Sequence, residues 1–255
     1  MEVVFLGTGS GAVSSDRFHT ALLLRDNTAA HLIDCGDAVS RAILSAGVDY
    51  NSILSIIITH FHADHLNGLS TLVTQMKMNK RTIPLNIFVH EKLASRLKNF
   101  LEMNYIIDER LDFQITISSF ATGEPFSPWD SLNIVARENT HLDKYKQYVE
   151  DRSALVSLGL YIAWNGKHFF YTGDVGNAAD LHLFDDRDTD IVIAEFTHVS
   201  PEQIETFYEQ MKAVSLYLTH INSAEYETIQ HWYAGLTDEQ RTRIKLTVDR
   251  DVIRL

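Results

Sequence analysis

The chain has 255 residues, a formal net charge of −12 and an apolar content of 45%. These values suit a soluble globular protein with a sizeable core, and we predict one domain over residues 1–255. No apolar run reaches the roughly 18 residues that span a bilayer, which argues against a membrane protein. The acidic balance argues against a broad nucleic-acid surface, because such a surface needs clustered Lys and Arg.

The N-terminal residues 2–6 are predicted to form the first strand rather than the apolar segment of a signal peptide. A glycine-rich turn follows at residues 7–11. Such a turn can cradle phosphate with its N–H groups, or it can let the backbone pass close to another segment. No Lys-Ser or Lys-Thr follows, which disfavours a nucleotide loop. The single cysteine, Cys35, excludes an intramolecular disulfide and fits a cytoplasmic location.

Residues 20–24 and 30–33 are predicted to pair as a hairpin. The second strand ends at Asp34. Asp37 is the expected N-cap of a helix over residues 38–46 that Gly47 closes. An acid at a strand end is either a turn residue or a group that orients a metal-binding histidine. The spacing alone leaves both roles open for Asp34.

The densest motif follows residues 53–58, an apolar run with the length and β-branching of a buried strand. It reads Thr-His-Phe-His-Ala-Asp-His over residues 59–65. Imidazole nitrogens and carboxylate oxygens are the donors that a zinc-like divalent ion prefers. We therefore predict a metal site at the end of this strand, in preference to a surface turn of solvated histidines.

Beyond this motif the chain continues as an alternation of helices and strands. Helices are predicted over residues 66–78, 91–103, 201–211 and 224–233. Strands are predicted over residues 84–90, 113–118, 131–136, 155–164, 168–171, 190–194, 214–218 and 244–248. The segment 121–128 is predicted to be a loop. Candidate ligands follow three of these strands: His141, Asp174 and His220.

Strand ends along one edge of a sheet bring distant side chains together. The motif and the three later positions supply seven donors: His60, His62, Asp64, His65, His141, Asp174 and His220. This number suits two ions that share one carboxylate and leave a coordination position for water. Zinc is the expected metal, and the mixed nitrogen and oxygen donors are also compatible with manganese or iron.

These motifs, taken together, resemble those of the metallo-β-lactamase fold superfamily. They are IDCGD at residues 33–37, THFHADH at 59–65, His141, YTGDVG at 171–176 and YLTHINS at 217–223. The resemblance implies an α/β fold, an αββα sandwich of two mixed sheets flanked by helices. It also implies a homodimer.

The resemblance further implies a role for each donor. One ion would be held by His60, His62 and His141, and the second by Asp64, His65 and His220. Asp174 would bridge the two ions, and Asp34 would lie behind the ligands.

Within the superfamily, residues 5–24 and the segment THFHADHLNGL resemble ribonuclease Z and its relatives, which cleave phosphodiesters. Three departures argue against tRNA as the substrate. About thirty residues separate His141 from Asp174, too few for the tRNA-binding arm. Ala194 replaces the histidine that precedes Glu195, and the usual Pro and Lys of the N-terminal loop correspond to Ser14 and Asp16.

We therefore expect a dinuclear metal-dependent hydrolase, a phosphodiesterase that attacks a small or cyclic phosphodiester with a hydroxide generated at the metal pair. Asp64 is expected to orient the nucleophile, and Glu195 or His198 to protonate or position the leaving group. The alternatives are hydrolysis of a thioester or lactone, tRNA 3′ processing, and metal binding without turnover. The expected partner is a small-molecule substrate, without tRNA or membrane.

Overall fold

The computed structural model describes residues 1–255. Its strands are β1 (Glu2–Gly7), β2 (Ala21–Arg25), β3 (Ala30–Ile33), β4 (Ile53–Ile57), β5 (Leu85–His90), β6 (Ile115–Phe120), β7 (Pro125–Trp129), β8 (Leu132–Glu138), β9 (Leu158–Trp164), β10 (Lys167–Tyr171), β11 (Ile191–Glu195), β12 (Ser215–Thr219), β13 (Ile244–Leu246) and β14 (Val252–Arg254). Its α-helices are α1 (Val39–Ser45), α2 (Ala63–Leu66), α3 (Gly68–Met78), α4 (Ala94–Met103), α5 (Pro201–Gln210), α6 (Tyr226–Gly235) and α7 (Asp238–Arg243). None of these helices is long and apolar enough to cross a membrane.

The strands form two seven-stranded sheets, one in each of two compact units. Unit 1 comprises residues 1–121 and 249–255, and unit 2 comprises residues 122–248. That the whole chain acts as one domain stays a prediction.

The sheet of unit 1 has the strand order β14-β1-β2-β3-β4-β5-β6. Neighbours from β14 to β3 are antiparallel, and those from β3 to β6 are parallel. Helix α3 buries Leu69, Leu72, Val73 and Met76, which recur three and four residues apart and form its apolar face. The carboxyl end of β4 leads directly into the histidine motif at residues 59–65.

The sheet of unit 2 has the order β13-β12-β11-β10-β9-β8-β7. Neighbours from β7 to β10 are antiparallel, and those from β10 to β13 are parallel. Since β8 lies two strands from β10, across the antiparallel β9, it runs in the same direction as β10, β11 and β12. The carboxyl ends of these four strands therefore lie at one edge of the sheet. His141, Asp174 and His220 follow three of these ends, and Glu195 is the last residue of β11.

Two local predictions were wrong. Part of the predicted loop at residues 121–128 belongs to β7, the edge strand of its sheet. Proline is tolerated at an edge because its missing N–H faces no neighbour, so Pro125 and Pro128 suggested a loop where a strand exists. Asp37 does not cap α1, because Ala38 takes the N-cap position with a φ of 63° and no side chain bonds the first turn.

Candidate metal centre

In unit 1 the carboxylate of Asp34 fixes the conformation of the histidine motif. This fully buried side chain accepts hydrogen bonds from the backbone N–H of Thr59 at 2.9 Å and from Nδ1 of His65 at 2.8 Å. The Thr59 hydroxyl donates to the same carboxylate at 2.9 Å. Because Nδ1 of His65 is engaged, its Nε2 is the nitrogen available to a metal ion. Asp34 thus orients a predicted ligand, rather than serving only as a turn residue.

The structure brings the four predicted donors of unit 1 together. The ring centroid of His60 lies 4.8 Å from that of His62 and 4.1 Å from that of His65. Nε2 of His65 lies 3.6 Å from Oδ2 of Asp64. Two ligands of a tetrahedral ion with bonds of about 2.0–2.1 Å lie roughly 3.3 Å apart, so this separation fits a shared ion.

The glycine-rich turn lets the backbone pass close to other segments, as one of its two interpretations predicted. A Cβ on Gly7 would lie 1.8 Å from the carbonyl oxygen of His19. A Cβ on Gly11 would lie 3.3 Å from Oδ2 of Asp64, tighter than an ordinary contact. The turn therefore packs against a predicted ligand of unit 1.

In unit 2 the two carboxylate oxygens of Asp174 face two different histidines. Oδ1 lies 3.3 Å from Nε2 of His220, and Oδ2 lies 3.6 Å from Nε2 of His141. All three side chains are nearly inaccessible to solvent. Each oxygen of this carboxylate therefore faces a different imidazole, which is the arrangement that a carboxylate bridging two ions would have.

The two predicted histidine ligands of unit 2 have neighbouring groups on the Nδ1 side of their rings. Nδ1 of His141 lies 3.3 Å from the carbonyl oxygen of Val175, and Nδ1 of His220 lies 3.7 Å from Oε2 of Glu195. The contact with Val175 engages Nδ1 of His141, whereas Nδ1 of His220 faces Glu195 from beyond hydrogen-bond distance. Nε2 of each ring is left toward Asp174.

Glu195 also holds His198. Oε1 of this buried carboxylate accepts the N–H of Val175 at 2.9 Å and Nδ1 of His198 at 2.8 Å. Oε2 accepts the N–H groups of Thr197 at 2.7 Å and of His198 at 2.9 Å. Burial raises the pKa of Glu195, but the hydrogen bond from His198 and the nearby imidazole of His220 outweigh the burial and hold this pKa below its ordinary value. The carboxylate therefore stays ionised at neutral pH.

His198 is the one predicted catalytic side chain of unit 2 that is open to solvent, with 30% of its side chain exposed. Its ring centroid lies 4.8 Å from that of His141 and 5.8 Å from that of His220. The structure thus places it beside two predicted ligands.

Asp180 was not predicted from the sequence. Its buried Oδ2 accepts the N–H of Thr140 at 3.1 Å, the hydroxyl of Thr140 at 2.7 Å and the N–H of Gly176 at 2.8 Å. One oxygen thus joins the loop that carries His141 to the loop that carries Asp174. Neither its spacing nor its neighbours in sequence indicated this role.

The histidine and aspartate clusters suit a dinuclear metal centre in their donor types. The donors are borderline nitrogens and hard oxygens, and their separations within each unit are those of ligands to a common ion.

Comparison with known proteins gives a match over nearly the whole chain. Residues 1–240 match the family model described as Anti-Pycsar protein Apyc1. The ribonuclease Z of Methanococcus aeolicus is 29% identical over 136 residues, which are 53% of this chain. The match covers only 41% of that relative's length.

Solved structures establish the fold. Human tRNase Z, short form (ELAC1), has a TM-score of 0.73 at 21% identity, covering 100% of this chain and 99% of that one. A diphosphatase from the PhnP family has a TM-score of 0.71 at 19% identity, covering 100% and 97%. These likenesses confirm the predicted metallo-β-lactamase fold.

Proposed function

We propose that this chain, which belongs to the Anti-Pycsar protein Apyc1 family, is a metal-dependent phosphodiesterase. Its proposed substrates are small or cyclic phosphodiesters, cyclic nucleotides among them. By its description the family acts against Pycsar, and we extend that role to this chain. The observation that carries the proposal is the geometry of Asp174, whose oxygens face His141 and His220 while His198 lies beside both histidines.

Two divalent ions, zinc first among the candidates, would be held by the seven donors predicted from the sequence: His60, His62, Asp64, His65, His141, Asp174 and His220. Bound ions of this kind lower the pKa of a water molecule toward neutrality and offset the charge on phosphoryl oxygens. Asp64 lies close to the backbone at Gly11. We assign to Asp64 the role of orienting the nucleophile.

His198 is assigned the protonation of the leaving oxygen. Its Nδ1–H donates to Glu195, so its Nε2 is the atom that can deliver a proton to a bound substrate. Glu195 is assigned a positioning role instead of proton transfer. Its two oxygens accept four hydrogen bonds, and its lowered pKa keeps it without a proton to give.

The named relatives favour phosphorus chemistry over the carbonyl alternative. A ribonuclease and a diphosphatase both cleave bonds to phosphate, whereas a thioester or lactone hydrolase does not. The short segment between His141 and Asp174 supports a small substrate in place of tRNA.

The proposal is tested by turnover of the metal-loaded protein on bis(p-nitrophenyl) phosphate and on 2′,3′- and 3′,5′-cyclic nucleotides. Thioesters and lactones are assayed in parallel. We expect metal-dependent hydrolysis of the diesters that His62→Ala abolishes. His231→Ala is the matched control, since it removes an exposed histidine outside the predicted ligands. Turnover confined to the carbonyl substrates would contradict the proposal, and metal binding without any turnover would favour a binding protein.

A further inference from the structure

Unit 2 contains a cavity of about 300 Å³ next to the candidate metal ligands of that unit. The loop before and after His141 forms one wall, and the loop after Asp174 forms the other. Its polar lining consists of Thr140, His141, Asp143, Lys144, Asn177 and His198. A group in this cavity would contact both a predicted ligand and the proposed proton donor.

The walls of the cavity are fixed before any ligand binds. Asp180 ties Thr140 to Gly176 through one carboxylate oxygen. The amide of Asn177 donates to the Thr140 hydroxyl at 2.8 Å, which joins the same two loops again. A Cβ on Gly176 would lie 2.4 Å from Oγ1 of Thr140, so the close approach of the loops requires glycine there. Such a preformed cavity costs little to order when a ligand enters.

Lys144, an exposed residue, is the lysine among the residues that line the cavity. Its ammonium forms no salt bridge, and the ring it overlies is that of Tyr145, with Nζ 5.4 Å from the centroid. The carboxylate of Asp143, which also lines the cavity, is paired with Lys146 at 2.6 Å. In a chain with a net charge of −12, Lys144 is thus a cation without a salt bridge that lines the same cavity as His141 and His198.

We propose that this cavity is an anion subsite in which Lys144 binds the phosphoryl oxygens of the substrate. This inference rests on the proposed function. It assigns to Lys144 the recognition of the negative charge on the phosphodiester substrate. An ammonium group is a strong donor to phosphate oxygens, and the contact selects anionic diesters over neutral esters. His198 lines the same cavity, so a diester held there would lie beside the proposed proton donor.

The test compares Lys144→Gln with Lys167→Gln, which removes the same charge from an exposed site of unit 2 outside the cavity. Binding of inorganic phosphate to the metal-loaded protein is measured by calorimetry, together with KM and kcat for bis(p-nitrophenyl) phosphate. We expect Lys144→Gln to weaken phosphate binding and to raise KM about five- to tenfold, with kcat changed less than about twofold. Lys144→Arg should keep both near the wild-type values, and Lys167→Gln should change neither.

The outcomes separate this inference from the proposed function. Phosphate binding that weakens in Lys144→Gln supports the anion subsite even if the wild-type protein hydrolyses no diester. Equal phosphate affinity in Lys144→Gln and the wild type would overturn the subsite, whether or not diesters are hydrolysed. Equal losses in Lys144→Gln and Lys167→Gln would also overturn it, because they would indicate a general effect of net charge. Unchanged thermal midpoints check that each variant is folded.

Discussion

His198 donates a 2.8 Å hydrogen bond from Nδ1 to Oε1 of Glu195, and its own backbone N–H donates to Oε2 of the same carboxylate at 2.9 Å. One carboxylate therefore fixes both the ring and the main chain of this histidine. A histidine held through both its ring and its main chain keeps its Nε2 in a constant place, which is what proton delivery to a bound substrate requires.

Replacing His198 by alanine should slow cyclic-nucleotide hydrolysis by about 10²–10³-fold in kcat. The loss on bis(p-nitrophenyl) phosphate should stay below about tenfold, because p-nitrophenolate leaves without needing a proton. Metal content measured by mass spectrometry should equal that of the wild type. Equal losses on the two substrates would show that His198 does not act on the leaving group.

Asp34→Asn should weaken metal binding about 10–100-fold, because the carboxylate that orients His65 loses its charge. The measurement is competition with a chromophoric chelator. Asp26→Asn is the control, since Asp26 also accepts hydrogen bonds in a turn of unit 1 but touches no predicted ligand. A metal affinity equal in the two variants would contradict the orienting role.

Asp180→Asn should lower the free energy of unfolding by about 1–3 kcal/mol, because one buried oxygen accepts three hydrogen bonds and an amide cannot replace all of them. Metal affinity should fall as well, since the loops of His141 and Asp174 lose their common anchor. Denaturant melts with and without metal separate the two effects. A loss of stability without any loss of metal affinity would restrict Asp180 to the fold.

Gly176→Ala should destabilise the protein by about 1–3 kcal/mol. The added Cβ would meet backbone and side-chain atoms of Thr140 at 2.4–2.5 Å. Gly235→Ala is the control, since a Cβ there meets nothing within 4 Å and the residue lies at the end of α6. Urea melts of the two variants give the comparison, and equal midpoints would refute the predicted clash.

His31 should make the stability of unit 1 depend on pH. Burial lowers the pKa of His31 from 6.5 to about 4, and Asp26 offsets only part of this. Between these values the unfolded chain binds a proton that the folded chain does not, so stability falls as the pH drops from about 6.5 to 4. The total loss is on the order of 3 kcal/mol.

His31→Asn removes this titration. Chelator-treated wild type and variant are unfolded with urea at several pH values, so that other titrating groups contribute equally to both. The stability advantage of the wild type over the variant should shrink as the pH falls through this window. An advantage that stays constant would contradict the assignment.

The sequence determined the donors and the places where they occur. Residues 59–65 combine three histidines and an aspartate directly behind an apolar strand, and His141 and His220 follow other strands in the same way. The positions of these donors can be predicted locally, because residue type and strand periodicity depend on only a few neighbouring residues. The resemblance to a known fold family could therefore be recognised from short motifs and from their order along the chain.

The tertiary structure decided which groups meet. Asp34 and His65 are 31 residues apart, and Thr140 and Asp180 are 40 apart, so no local pattern relates either pair. Hydrogen-bond partners across loops depend on the rotamer and the backbone path of both segments, which only the packed chain fixes. For the same reason the proposal of His198 in place of Glu195 as proton donor depends on the tertiary structure, in which the Glu195 carboxylate accepts four hydrogen bonds.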